Sequence, residues 1–458
     1  MRKTKHCIGQ FTFFDRTGIQ LFLEKQARKG WMLERIGYFG WRFRRIEPAE
    51  LHFAVTYFPE AGAYDPGPSD RELELREMCA HAGWQHIASN SQMQIYCNEQ
   101  ADPTPIETDP VMELENIHRA AKKSFLPVYG FLLAVVLLYM ALEIWNLRQD
   151  PIGILASNTQ LFAMLTTVVL AVMSVVEIAG YILWRRKALT AAREQEQFLP
   201  TWGTRRFMIG MLWLVAACLV GTLLSLGSIK YLVVAGVWIV LYFLVILAVQ
   251  GGRRLMQRRD VPGKKNLTVT FLAALVLYLL LDNGVMPMLT QKLDQVWPDR
   301  QPVQIQAGWE IHDDEIPLTL ADLGLAEDTL YSTVSSRIDS PFLGRAISYQ
   351  SCMGEQWPET RLHYGVIDVK MGFLYDICLE RLLVHDIKTG MVLYGEINYD
   401  AAPQVDAAPW GAEAAYELHY KGEPLHIWLL CYEDRIVTLN TGVALDEAQM
   451  AAVGEIFG

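Results

Sequence analysis

Charge is scarce in this chain. Of its 458 residues, 20% are Asp, Glu, Lys or Arg and 52% are hydrophobic, a balance that excludes a disordered or fibrous polypeptide. The scarcity is uneven. Residues 1–124 hold 16 Lys and Arg against 17 Asp and Glu, residues 125–289 hold 14 against 7, and residues 290–458 hold 10 against 27. Net charge therefore runs −1, +7 and −17 along the chain. A basic, apolar middle between two charged flanks disfavours a wholly soluble enzyme. The acidic total disfavours a nucleic-acid-binding chain, so no specific nucleic-acid binding is expected.

Cysteine and chemical motifs are also sparse. Cys7, Cys79 and Cys97 precede the apolar middle, Cys218 lies within it, and Cys352, Cys378 and Cys431 follow it. The last three permit at most one disulfide within a chain and imply no disulfide framework. No convincing G-x-G-x-x-G, Walker A or paired C-x-x-C signature occurs, so no cofactor is expected and no catalytic residue is assigned. His312-Asp313-Asp314-Glu315 offers ligand atoms but matches neither H-E-x-x-H nor a calcium loop, and an acidic turn is the plainer reading. Met1–Cys7 is basic, yet the following segment is interrupted by Asp15, Arg16 and Lys25. No cleavable signal is expected, and the first apolar helix would serve as an uncleaved insertion signal.

What the chain has in quantity is long apolar runs. A bilayer core about 30 Å thick needs roughly 20 apolar residues at about 1.5 Å per residue. Five stretches qualify: 125–147, 161–184, 207–226, 231–249 and 267–289. With no water to satisfy peptide groups there, each is expected to be helical. The fifth loses its uninterrupted apolar run at Leu281, before Asp282, Asn283 and Pro287, and crosses only if Asp282 reaches the headgroups. Trp145, Tyr181 and Trp184 fall near span ends, where amphipathic rings favour the membrane–water boundary.

Lys and Arg in short loops favour the cytoplasmic side. Arg185, Arg186, Lys187, Arg193, Arg205 and Arg206 lie between spans two and three; Arg253, Arg254, Arg258, Arg259, Lys264 and Lys265 lie between four and five. The alternate connections contain only Arg148 and Lys230. The expected protein is therefore a multi-pass protein of the cytoplasmic membrane, with the lipid bilayer as its first partner, its N-terminus inside and its C-terminus outside. Residues 1–98 are read as a cytoplasmic α+β domain, 99–124 as a linker and juxtamembrane helix, 125–289 as a five-helix bundle, and 290–458 as an acidic extracytoplasmic α+β domain.

Within residues 1–98, helical spacing predicts helices over 15–29 and 69–82, closed by Gly30-Trp31 and Gly83-Trp84. Alternation predicts strands over 31–36, 41–46, 51–58, 85–88 and 93–97. A helix, Gly-Trp, antiparallel-strand unit thus occurs twice, the second copy lacking an evident third strand. Phe11–Phe58, with Leu23-Glu24-Lys25-Gln26-Ala27-Arg28-Lys29-Gly30-Trp31-Met32-Leu33 and the aromatic-rich strands after it, resembles the bacterial domain-of-unknown-function family 2812 over roughly the first quarter of the chain. The resemblance implies a bacterial membrane protein, a cytoplasmic place for this domain and a regulatory role, and brings no catalytic residue with it.

Several residues are candidates for binding. Glu177 lies within a span, where an ionised carboxylate is costly; it would line a polar path or, more plainly, pair with a neighbouring helix. Arg42 and Arg44 alternate with Trp41 and Phe43, presenting guanidinium groups to phosphate or lipid headgroups, or simply to solvent. Arg185, Arg186, Arg253 and Arg254 are candidate contacts for anionic lipid, although topology alone explains them. In the last domain, strands are expected over 302–311, 345–350, 362–369, 391–399, 415–420 and 425–439, with helices over 371–385 and 446–457. The leading functional expectation is a non-enzymatic sensor or regulatory protein whose outside domain meets a ligand of unknown class and whose inside domain engages a cytoplasmic regulatory protein. A transporter or transporter accessory, resting on Glu177, and a membrane enzyme are the alternatives.

Overall fold

The computed structural model describes residues 3–7, 9, 11–37, 40–195, 197–201, 205–297, 304–306, 309–326, 331–352, 361–383, 399 and 401–458. The N-terminal region is built twice over. The first copy runs β1 (Thr4–Cys7), α1 (Arg16–Arg28), β2 (Trp31–Gly37) and β3 (Gly40–Arg45). The second runs β4 (His52–Tyr57), α2 (Asp70–His81), β5 (Gln85–Asn90) and β6 (Met93–Asn98). The sheets have the orders β1-β3-β2 and β4-β6-β5, all antiparallel. The incomplete repeat expected from sequence is therefore complete: β4 opens the second copy rather than closing the first, and β1 is the strand that the first copy owed.

The local signals repeat with the topology. Asp15 and Ser69 cap the two helices by accepting from Gly18 N and Glu72 N. Gly30 and Gly83 follow their ends at φ of 76° and 85°, a left-handed turn that a side chain resists. Each first β-strand after a helix carries a bulge at the corresponding place, between Leu33 and Arg35 and between His86 and Ala88. Ile19, Leu23 and Ala27 of α1 are buried with Phe43, Phe53 and Val55.

Among the described residues, five helices are long and apolar enough to cross a membrane, making this a multi-pass membrane protein. The first spans Pro110–Gln149 without interruption, begun by Asp109 accepting from Val111 N and Met112 N and carrying a π turn at Ala121–Phe125. The others are Asn158–Gln195, Arg205–Leu224, Ile229–Arg258 and Gly263–Val296. All but the third extend beyond the expected spans at both ends. Asp282 does not break the fifth; Leu281–Val285 forms a second π turn instead. Trp145 is exposed, as an interfacial ring would be, but Tyr181 and Trp184 are 1% and 8% exposed. These two belong to a protein core, for a reason given below.

The C-terminal region is a seven-stranded antiparallel sheet of order β12-β13-β14-β15-β11-β10-β9, preceded by the hairpin β7 (Gln304–Gln306) and β8 (Trp309–Ile311). Its strands are β9 (Tyr331–Asp339), β10 (Leu343–Cys352), β11 (Arg361–Val369), β12 (Gln404–Val405), β13 (Ala414–Tyr420), β14 (Glu423–Cys431) and β15 (Arg435–Asn440). The single strand expected over 425–439 is two, folded back through Tyr432 N donating to Arg435 O at 2.8 Å. The expected strand over 391–399 falls, except for Tyr399, outside the described residues.

Both sheet faces are covered. One packs Tyr364, Trp428, Leu430 and Val437 against Leu318, Leu320, Trp410 and the helix Glu447–Phe457. The other packs Leu343, Ile367, Leu429 and Ile436 against Leu374 and Cys378 of the segment ending in the helix Tyr375–Leu383, and against Ile152 and Ala156. The last two lie on a short helix, Pro151–Ala156, in the connection between the first two membrane helices. That connection is thus part of the sheet domain's core.

The repeated glycine gives a test. A Cβ at Gly30 would lie 2.8 Å from Ile46 O at a φ of 76°, whereas Gly67 has open space. Gly30→Ala is expected to destabilise the first copy by about 1–2 kcal/mol, read as faster amide exchange in β2 and β3 of the full chain, while Gly67→Ala leaves that exchange unchanged.

Candidate functional site

The first two membrane helices begin and end in different surroundings. Toward the N-terminal region, the face of the first helix bearing Leu114, Ile117, Ala121 and Phe125 joins the face of the second bearing Tyr181, Trp184, Ala188 and Ala192 in one core with α1 and β4. Phe14 is the centrepiece, its ring centroid 5.5 Å from Tyr181 and 5.2 Å from Trp184. His118 Nδ1 lies 2.9 Å from the Tyr181 hydroxyl. Arg16 pairs with the buried Glu113 and lies over the Phe198 ring. Burial holds the nearby Glu107 carboxyl above its usual range, against the opposing pull of Arg16.

Glu177 stands one turn before Tyr181, is 2% exposed, and neither carboxylate oxygen has a hydrogen-bond partner among the described residues. Ser174 and Thr167, also buried, share its helix. The cationic candidates do not form one site with it. Arg42 and Arg44 project from the open side of β3, and Arg42 is 3.0 Å from Glu34. Arg186 is exposed and Arg185 half-buried. Arg253 lies over the Tyr64 ring and, with Arg254, lines a wide polar crevice that also includes Arg35, Arg76 and Arg258. The loop around Tyr64 is tied there by Gln257 Nε2 donating to Asp65 O at 3.0 Å and Asn266 Nδ2 donating to Tyr64 O at 3.0 Å.

The most enclosed candidate was not legible as a motif. A cavity of about 170 Å³ opens on the sheet face covered by Pro151–Ala156 and Tyr375–Leu383. Gly365 of β11 leaves a side chain out of its floor, beside Thr438 and Asn440 of β15; Leu418, Ile427 and Ile152 make apolar wall, and Arg345 of β10 and Arg381 of the covering helix reach it from the sides. His363 belongs to the same floor, edge-on to Tyr349. Sequence spacing cannot collect these residues, because the sheet order does so.

In the acidic segment, Asp314 accepts from Ser335 N at 2.8 Å, and the Asp313 backbone forms a bridge with Thr333. Among the described residues no three His, Cys, Asp or Glu side chains gather as a metal site.

Burial, helped by the Arg361 charge, pulls the His363 imidazole down to about 4. The unfolded chain protonates near the ordinary value of about 6.5, so it binds a proton that the folded domain refuses as pH falls from 6.5 toward 4. The stability contributed by neutral His363, full above about 6.5, is lost across that window by up to about 3 kcal/mol. Unfolding followed between pH 7 and 4.5 should show a smaller pH slope in His363→Asn than in the parent. Because Glu177 finds no partner, Glu177→Gln should leave the unfolding midpoint unchanged or higher, whereas Trp184→Ala should cost about 3–5 kcal/mol.

Comparison with known proteins gives one family match. No curated protein matches the chain, and no solved structure does. Residues 17–129 match the family described as "Protein of unknown function (DUF2812)". The match ends four residues beyond Phe125, so it takes in the first copy from α1 onward, the whole second copy and the start of the first membrane helix. The N-terminal region of this multi-pass membrane protein is a DUF2812 domain, of an uncharacterised family.

Proposed function

We propose that the protein is a membrane receptor, in which the C-terminal sheet domain meets a small ligand outside the cell and the DUF2812 domain engages a cytoplasmic regulatory protein inside. The carrying observation is the short helix Pro151–Ala156. It joins the first two membrane helices, yet its Ile152 and Ala156 are buried in the sheet domain's core and Ile152 borders its cavity. Filling or emptying that cavity therefore acts directly on the connection between these helices. Their other ends supply Phe125, Tyr181 and Trp184 to the core of the DUF2812 domain. A ligand that favours one arrangement of the helix pair changes the inside domain by the difference in its affinity for the two arrangements. The orientation is supported by the Lys and Arg of the second and fourth connections and by an odd number of long apolar helices.

Two measurements test this reading. With Cys7 and Cys352 replaced by Ser, a thiol introduced at exposed Glu433 should react with an impermeant reagent on intact cells, and one at exposed Glu77 only after permeabilisation; the opposite pattern rejects the orientation. In the full chain in nanodiscs, Ile152→Ala should alter amide exchange both in the sheet domain and in residues 114–125. A change confined to the sheet domain removes the coupling.

A further inference from the structure

Among the described residues, the two arginines at the sheet-domain cavity have little negative charge near them. Arg345 shares a sheet face with Leu343, Ile367, Leu429 and Ile436, and its side chain is 13% exposed. The acid nearest to it, Asp150, approaches no closer than 3.9 Å and is itself 58% exposed. One oxygen of that carboxylate already accepts from Gly153 N at 2.8 Å, capping Pro151–Ala156. Arg345 Nε is buried with no acceptor among the described residues. Arg381 donates from Nη2 to the Gln149 carbonyl, and its buried Nε likewise has no acceptor among the described residues. On the cavity floor, Asn440 is 5% exposed and its Oδ1 has no donor among the described residues.

A buried guanidinium is tolerated when its charge and its donors are matched. Here the largely buried Arg345 and the half-buried Arg381 border one cavity with, among the described residues, a single distant, solvent-facing carboxylate beside them, in a segment whose net charge is −17. An acidic surface of that kind offers negative charge freely, yet among the described residues no other carboxylate borders the cavity. We infer that this cavity is a binding site for a small organic carboxylate, held by Arg345 and Arg381, with a hydroxyl or amino group of the ligand donating to Asn440 and its short carbon body against Ile152, Leu418 and Ile427. The planar fork of a guanidinium matches a carboxylate in geometry as well as sign. A cavity of about 170 Å³ holds more than a single water, which suits a small hydroxy or amino acid. The inference names the ligand class of the receptor proposed above, but its own test reads binding at the cavity and not coupling between the domains.

The test is a thermal-unfolding titration of the full chain in nanodiscs with lactate, alanine, succinate and benzoate, and with lactamide and inorganic phosphate. Lactate or alanine should raise the midpoint progressively with concentration, and lactamide, which lacks the charge, should not. Arg381→Gln should weaken the response about tenfold or more, since a charge-assisted hydrogen bond is lost. Arg345→Met separates a binding role from a structural one: it should leave the ligand-free midpoint unchanged or raise it while abolishing the response, whereas an arginine present for stability would lower the midpoint. The inference is overturned if no carboxylate shifts the midpoint, if phosphate alone does so, if benzoate and succinate act while lactate and alanine do not, or if the response survives both substitutions. A carboxylate response without any change in amide exchange over residues 114–125 would retain this site and sink the receptor reading.

Discussion

A transmembrane helix must satisfy its own peptide groups along its whole length, and that requirement lets one helix serve two different solvents. The helices Pro110–Gln149 and Asn158–Gln195 leave a protein core without a break in their hydrogen bonding. Near Leu114–Phe125 and Tyr181–Ala192 their partners are the side chains of the DUF2812 domain. Along Phe131, Leu138 and Val172 they present large exposed apolar groups suited to lipid. The change of surroundings occurs by side chain alone. It explains why the family match continues beyond the two sheets into the helix: the sheets do not have a finished core until the helix is docked.

Much of this was open to reading from the residues. The long apolar runs, the two Gly-Trp helix ends and the alternating strands around Trp41, Val55 and Ile95 carry strong periodic signals, and each became the element that its period demands. β1 escaped because four residues, Thr4–Cys7, are too few to establish a period; its identity comes from pairing with β3. β9 escaped because Ser332, Thr333, Ser335 and Ser336 blur the contrast between its two faces. The turn dividing β14 from β15 contains Glu433 and Asp434 without the Gly or Pro that usually announces one. Pro151–Ala156 carries no mark of its packing, because six residues between two membrane helices look like a connection, whatever they pack against.

The sites divide in the same way. Glu177 was conspicuous because a carboxylate is costly in an apolar run, and it is indeed buried. Its neighbours Tyr181 and Trp184 misled, since an aromatic ring near a span end has the same appearance whether it meets headgroups or Phe14. Arg345, Arg381 and Asn440 had no signal at all. Each is an ordinary polar residue in its own segment, and only the neighbouring of β10, β11 and β15, together with a helix laid across them, turns three separate residues into the border of one cavity.

The π turn at Ala121–Phe125 has a geometric meaning of its own. It accommodates an extra residue in a helix whose neighbours are otherwise rotated by about 100° per position. Ahead of it the helix keeps Leu114 and Ile117 on the DUF2812 domain; behind it the numbering of every face is advanced by one. The turn thus works as a phase adjuster between two stretches with separate packing demands. Shortening it by a residue would swing the whole downstream stretch, and the Gln149-Asp150 corner with it, about a quarter of the way around the helix axis.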